Sequence, residues 1–188
     1  ALNPLFTVTQ PGRFTELINT MLAFYDENGL LPVWDLSACE TNCMTGYHAI
    51  PVIADAILKN SKGINVEKAF TAMKTSAMQN IRGTDLYRQY GYIPKDKYGS
   101  SVTVTIEYAY DDWCIAQVAK KLGKEDDYKI FMQRSESWKK LFDPAMGFIR
   151  AKNSDGSWVN PFDPYLSEHD EHKAMYTEGN AWQHSFFV

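Results

Sequence analysis

Between Arg13 and Asp26 the apolar residues Phe14, Leu17, Ile18, Met21, Leu22 and Tyr25 return with a helical period. That spacing commits one face of the segment to a core. Pro11-Gly12 opens the stripe and Asn28-Gly29 closes it, so both ends carry helix-breaking chemistry. The same logic predicts a second helix over 43–60, where Pro51 imposes a kink or a later start. A third runs over 66–79, capped by Asn65, with Ala69, Phe70, Met73 and Ala77 on one face. A fourth covers 103–122 and ends at Gly123, although Val102 to Ile106 has β propensity and leaves its start open. A fifth covers 124–142, with Glu125, Asp126 and Asp127 placed to suit the helix dipole. A sixth begins near 176–180.

Residues 80–102 and 143–173 read as long loops. The first carries Tyr87, Tyr90, Tyr92 and Tyr98 among Gly83, Gly91, Pro94 and Gly99. In the second, Asp155-Gly156 lies between Phe148-Ile149-Arg150 and Trp158-Val159, which predicts one small hairpin. Loops this long in a compact domain are functional or very well packed. The expected fold class is all-α: helical hairpins with long loops at alternate connections, the pattern of a helical toroid whose loops line a cleft. The sequence holds no repeat of the 20–50-residue kind that builds a regular solenoid.

Composition narrows the partners. The chain of 188 residues has 19 basic and 23 acidic side chains, a net charge of −4, without the basic surplus of a nucleic-acid binder. No apolar run approaches the roughly 20 residues of a membrane helix, so no membrane span is expected. Cys39, Cys43 and Cys114 lack zinc-site spacing and are expected to be buried thiols. Aromatic residues make up 14% of the chain, including 5 Trp and 11 Tyr. They serve a core first, and otherwise surfaces that stack on sugar rings. The chain lacks an initiator Met and stops at Phe186-Phe187-Val188 without a cap or a polar tail. The expectation is a segment of a longer polypeptide.

The common phosphate-loop, zinc-hydrolase, nucleophile-elbow and EF-hand motifs do not occur. What remains are carboxylates set among aromatics. In Glu107-Tyr-Ala-Tyr-Asp-Asp-Trp113, Glu107 and Asp111 share a helical face near a helix start, serving either dipole stabilisation and the capping of loop amides or a ligand. In Tyr176-Thr-Glu-Gly-Asn-Ala-Trp-Gln-His184, Glu178 opens a helix, Gly179 permits close approach of a ligand or backbone, and Trp182 lies one turn on. Glu178 is there either a first-turn residue answering the dipole or a carboxyl desolvated for acid catalysis. His184 reads as a hydrogen-bonded histidine, and His169 and His172 as members of a solvated acidic loop.

Several stretches, in order, resemble the calcium-dependent α-mannosidases of glycoside hydrolase family 92. They are Gly29-Leu-Leu-Pro-Val-Trp34, Glu40-Thr-Asn-Cys-Met-Thr-Gly-Tyr-His48 with Ala54-Asp55-Ala56, Gly91-Tyr-Ile-Pro94, Glu107 to Trp113, Phe162-Asp-Pro164 and Tyr176 to Gln183. The resemblance implies about half of an (α/α)6 catalytic toroid, with an N-terminal β-sandwich and the rest of the toroid outside this chain. It implies hydrolysis of terminal α-linked mannose, α-1,2 expected, from mannose-containing oligosaccharides such as N-glycans, with inversion. Glu178 falls on the family's general acid, and the candidate substrate contacts are Trp34, Trp182, Gln183, Glu107 and Asp111. A bound calcium ion is implied, its ligands and the catalytic base mostly lying in the rest of the polypeptide. So is export to a bacterial periplasm or cell surface. Two rival readings stand beside this one: a non-catalytic helical carbohydrate-binding or scaffold domain, and an (α/α)6 glycosidase of another sugar specificity.

Overall fold

A computed structural model describes residues 2–37, 39–167 and 174–187. His169 and His172 lie outside the described residues. The all-α expectation holds: among the described residues, helices dominate and the strands are four short segments in two antiparallel pairs. Among the described residues no helix is long and apolar enough to cross a membrane. The chain divides into two units, each with its own core.

The first unit comprises the described residues through Gln79 together with Asp111–Met132. It opens with α1 (Leu2–Thr9) and α2 (Pro11–Asn28). The stripe on α2 buries Phe14, Ile18 and Leu22, and Gly29 ends the helix in the left-handed region at φ 77°. The pair β1 (Asp35–Leu36) and β2 (Cys39–Glu40) follows. Next come α3 (Ala49–Leu58), which buries Ile50, Ile53 and Ile57, and α4 (Val66–Ala77), which buries Phe70 and Met73. Asn65 caps α4 as its type predicts, accepting the Lys68 N–H. Helices α2, α3 and α4 pack on one another, and Ile115, Val118 and Ala119 are buried in the same unit.

The second unit comprises Asn80–Tyr110 and the described residues from Gln133 onward. It contains α5 (Thr84–Tyr90), a 3-10 turn (Ser137–Lys140), the pair β3 (Phe142–Asp143) and β4 (Phe148–Ile149), and α8 (Ala181–His184). Helix α6 (Ser101–Lys121) belongs to this unit up to Tyr110 and to the first beyond it; α7 (Glu125–Ser135) likewise changes unit after Met132. The second core gathers Tyr92, Val102, Ile106, Leu141, Ile149, Met175, Tyr176 and Ala181.

Several expectations need correction. Of the kink or later start expected at Pro51, the helix read over 43–60 takes the later start, at Ala49, which puts Pro51 in the first turn, where its missing N–H costs no intrahelical bond; it ends at Leu58. The stretch 80–102 contains α5, with Gly83 and Gly91 as its two caps in the left-handed region rather than as loop punctuation. Val102 to Ile106 is helical despite its β-branched residues, because their apolar side chains fill the core. The fifth helix ends at Ser135. The turn at Asp155-Gly156 is present with a bridge between Lys152 and Trp158, but Phe148-Ile149 pairs with Phe142-Asp143 instead. Cys114 is buried as expected, whereas Cys39 and Cys43 are exposed, on β2 and in the loop after it.

Candidate functional site

The site is built around the chain from Ala174 to His184. A helix leaves its first N–H groups without intrahelical acceptors, and the chain before Glu178 supplies acceptors to the start of α6. Ser100 N–H donates to the Ala174 carbonyl at 2.8 Å, and Val102 N–H donates to the Met175 carbonyl at 3.0 Å. Tyr176 is buried and donates its hydroxyl to the Ile149 carbonyl on β4 at 2.7 Å. Burial pushes the Tyr176 phenol well above its ordinary range, and the Arg150 charge only partly offsets this. Thr177 N–H then donates to Thr103 Oγ1 at 2.9 Å.

Glu178 follows in the left-handed region, with φ 53°, and is exposed. Only glycine adopts that conformation freely, and a non-glycine residue there costs about 1–2 kcal/mol. The surroundings must therefore hold it. Helix α8 begins three residues later. Asn180 is its N-cap: the Asn180 Oδ1 accepts the Gln183 N–H at 3.2 Å, and Gln183 Oε1 accepts the Asn180 N–H at 3.0 Å. This reciprocal box fixes the helix start.

This geometry changes the reading of the segment. Glu178 is neither a first-turn helical residue nor on a shared helical face with Trp182, because it precedes the cap. Its carboxyl is exposed rather than desolvated by the indole. Trp182 is half-exposed and meets Phe148 edge-on, with ring centroids 4.9 Å apart; Tyr165 stands 6.4 Å away. Gly179 does not leave open space. A Cβ there would come within 3.0 Å of Gln183 Oε1 and of the His184 ring. Gln183, expected to touch substrate, spends its side-chain oxygen on the capping box. His184 is hydrogen-bonded as expected, its two ring nitrogens facing Thr103 Oγ1 at 2.8 Å and the Asn180 carbonyl at 3.0 Å.

The remaining candidates divide between the units. Glu107 is half-buried on α6, one turn beyond Thr103, in the unit that holds Glu178, Trp182 and Gln183. Asp111 and Trp34 belong to the first unit. Asp111 is fully buried and accepts the Tyr47 N–H at 3.1 Å, with His48 Nδ1 at 3.0 Å. Trp34 has an exposed ring and a backbone pinned to Glu40 and Thr41. Neither Glu107 nor Asp111 lies in the first turn of α6, which contains no acid, but Asp111 does cap a loop amide, that of Tyr47. Sequence reasoning passed over Thr103 and Asn180. Thr103 carried no signal, while Asn180-x-x-Gln183 is a readable variant of the capping box.

The model of the glycosyl hydrolase family 92 catalytic domain matches residues 1–188. The chain belongs to glycosyl hydrolase family 92. A family 92 α-mannosidase from Bacteroides thetaiotaomicron is 45% identical over 100% of this chain and 25% of its own, with a TM-score of 0.94. The structure of that enzyme in complex with mannoimidazole gives a TM-score of 0.93. An inverting family 92 mannosidase from Bacteroides thetaiotaomicron VPI-5482 is 30% identical over 97% of this chain and 25% of its own, with a TM-score of 0.87. A protein of Arthroderma benhamiae described as an uncharacterized secreted glycosidase is 28% identical over 99% of this chain and 28% of its own. The family 92 chain thus spans about a quarter of the length of these relatives.

Proposed function

We propose that this chain is part of the catalytic helical domain of a longer exo-acting α-mannosidase, in which Glu178 is the general acid. The observation that carries the proposal is the backbone of Glu178. An exposed carboxyl sits on a disfavoured turn that is bonded on both sides to α6, β4 and α8, as expected of a group whose direction matters. Family membership supports the reaction class, and the mannosidase relatives support mannose as the sugar. The secreted relative supports export, which we extend to a periplasm or cell surface. An α-1,2 linkage in mannose-containing glycans completes the proposal.

In this reading Glu178 donates its proton to the departing glycosidic oxygen while a second carboxylate draws a proton from water on the opposite face of the sugar. Members of an inverting pair stand roughly 6.5–9.5 Å apart to admit that water, so they commonly come from distant chain segments. The base is assigned to the rest of the polypeptide. Calcium is implied by the family resemblance. Its ligands are assigned mostly to the rest of the polypeptide, and among the described residues no group of three or more His, Cys, Asp or Glu is placed to hold a metal ion. No step is routed through one.

The test is the first product formed by the full-length polypeptide on a panel of α-linked mannobioses, followed by proton NMR. Release of β-mannose, fastest from the α-1,2 isomer, is expected. Initial α-mannose would remove inversion from the account, and no release from any isomer would remove the activity.

A further inference from the structure

One hydroxyl connects the chain on both sides of Glu178. Thr103 Oγ1 accepts the N–H of Thr177, the residue immediately before Glu178. The same oxygen lies 2.8 Å from His184 Nε2. The other ring nitrogen, Nδ1, lies 3.0 Å from the carbonyl oxygen of Asn180, which can only accept. The Nδ1 of His184 therefore carries the proton, and in the neutral imidazole Nε2 is the acceptor. The Thr103 hydroxyl must then donate to His184. Its lone pairs hold the residue before Glu178, and its proton holds the helix after it. The loop closes where Nδ1–H meets the carbonyl of Asn180, so Glu178 and Gly179 lie inside a ring of hydrogen bonds.

Two features make this ring rigid. Thr103 is β-branched and helical, which restricts its rotamers. The His184 imidazole packs against the buried Tyr176 ring with centroids 5.2 Å apart, and Tyr176 is itself tied to β4. Glu178, held at an unfavourable φ, is the residue whose direction these contacts determine.

We propose that Thr103 and His184 are positioning residues for the Glu178 carboxyl, fixing the angle from which it meets the glycosidic oxygen. The inference rests on Glu178 being the general acid. It predicts that loosening the ring impairs proton delivery more than sugar binding.

The test compares a mannobiose, whose leaving group needs protonation, with 2,4-dinitrophenyl mannoside, whose leaving group does not. In the full-length polypeptide Thr103→Val should lower kcat on the mannobiose by about 10–100-fold, since small misplacements of a catalytic group cost on that order. The aryl substrate should lose less than about 3-fold, because it draws little on the acid, and KM should hold. Thr103→Ser keeps the hydroxyl and should recover most of the mannobiose rate. His184→Phe keeps the ring beside Tyr176, removes the acceptor, and should reproduce Thr103→Val; it carries the test if Thr103→Val does not fold. Equal loss on both substrates, or loss that only tracks the unfolded fraction, would overturn the proposal. So would failure of both variants to fold, which would make the ring a stability element. Glu178→Gln separates the two claims. If it shows no preference between leaving groups, the acid assignment fails; if it shows one and the Thr103 and His184 variants do not, only the positioning claim fails.

Discussion

Arg150 donates from Nη1 to Asp143 Oδ2 at 2.5 Å, and both side chains are more than nine-tenths buried. The pair fastens β3 to the end of β4, the strand to which Tyr176 is tied. Arg150 also donates to the carbonyl of Val159 and to Asn160 Oδ1, and its guanidinium lies over the Phe162 ring at 4.5 Å. It organises the loop beside the site through charge and stacking together.

This pair has a pH signature. Burial alone would raise the Asp143 carboxyl, but hydrogen bonding and charge from Arg150, with the N–H groups of Ala145 and Met146, outweigh it and hold the carboxyl below its ordinary value. A depressed folded value stabilises above the unfolded value of about 3.9 and is lost as pH falls through the folded one. Asp96, bonded to Ser154, and Asp155, bonded to Ser157, shift the same way. Denaturant unfolding below pH 4 should therefore show a shallower loss of stability in Asp143→Asn than in the parent, on top of a lower stability at pH 7. An unchanged slope would show that the pair is not the source.

Tyr176→Phe removes the hydroxyl that meets the Ile149 carbonyl and leaves that acceptor buried without this donor. The expected cost is about 1–3 kcal/mol, read by urea unfolding. A variant as stable as the parent would mean that another group satisfies the carbonyl.

Gly179→Ala places a Cβ within 3.0 Å of Gln183 Oε1 and of the His184 ring. Neither neighbour can shift without weakening the capping box or the bond to Thr103. A stability loss of about 1–3 kcal/mol is expected, with a greater kinetic loss on substrates having poor leaving groups. Unchanged kinetics would show that the turn tolerates the displacement.

Asn65→Ala removes the N-cap of α4 in the first unit. It should cost about 1 kcal/mol in stability with kcat unaltered. A large kinetic effect would contradict the assignment of the chemistry to the segment around Glu178.

The regular parts of this fold were readable where the signal was local. The α2 stripe repeats over several turns, and Asn65 meets its partner three residues away. Features that depend on distant partners were not readable. Asp111 is legible as an acid on a helix face, but its role toward Tyr47 and His48 depends on a chain reversal of more than sixty residues. Thr103 likewise acts on Thr177 and His184 across the fold. At the candidate site the family resemblance points to Glu178, but spacing alone does not show its conformation. The left-handed φ falls on Glu178 and not on Gly179, the flexible residue beside it. Asn180 and Gln183 held the clue that the helix starts after that glutamate.

The proposed role of Glu178 is to transfer the proton. Glu178→Gln in the full-length polypeptide keeps the shape of the side chain and removes the transferable proton. The decisive measurement is kcat across aryl mannosides of graded phenol acidity, extended to a mannobiose. A loss on the order of 10²–10⁴ is expected for the mannobiose, shrinking steadily toward the most acidic phenol, with the folded state intact. Equal slowing across the whole series, with binding unchanged, would contradict it.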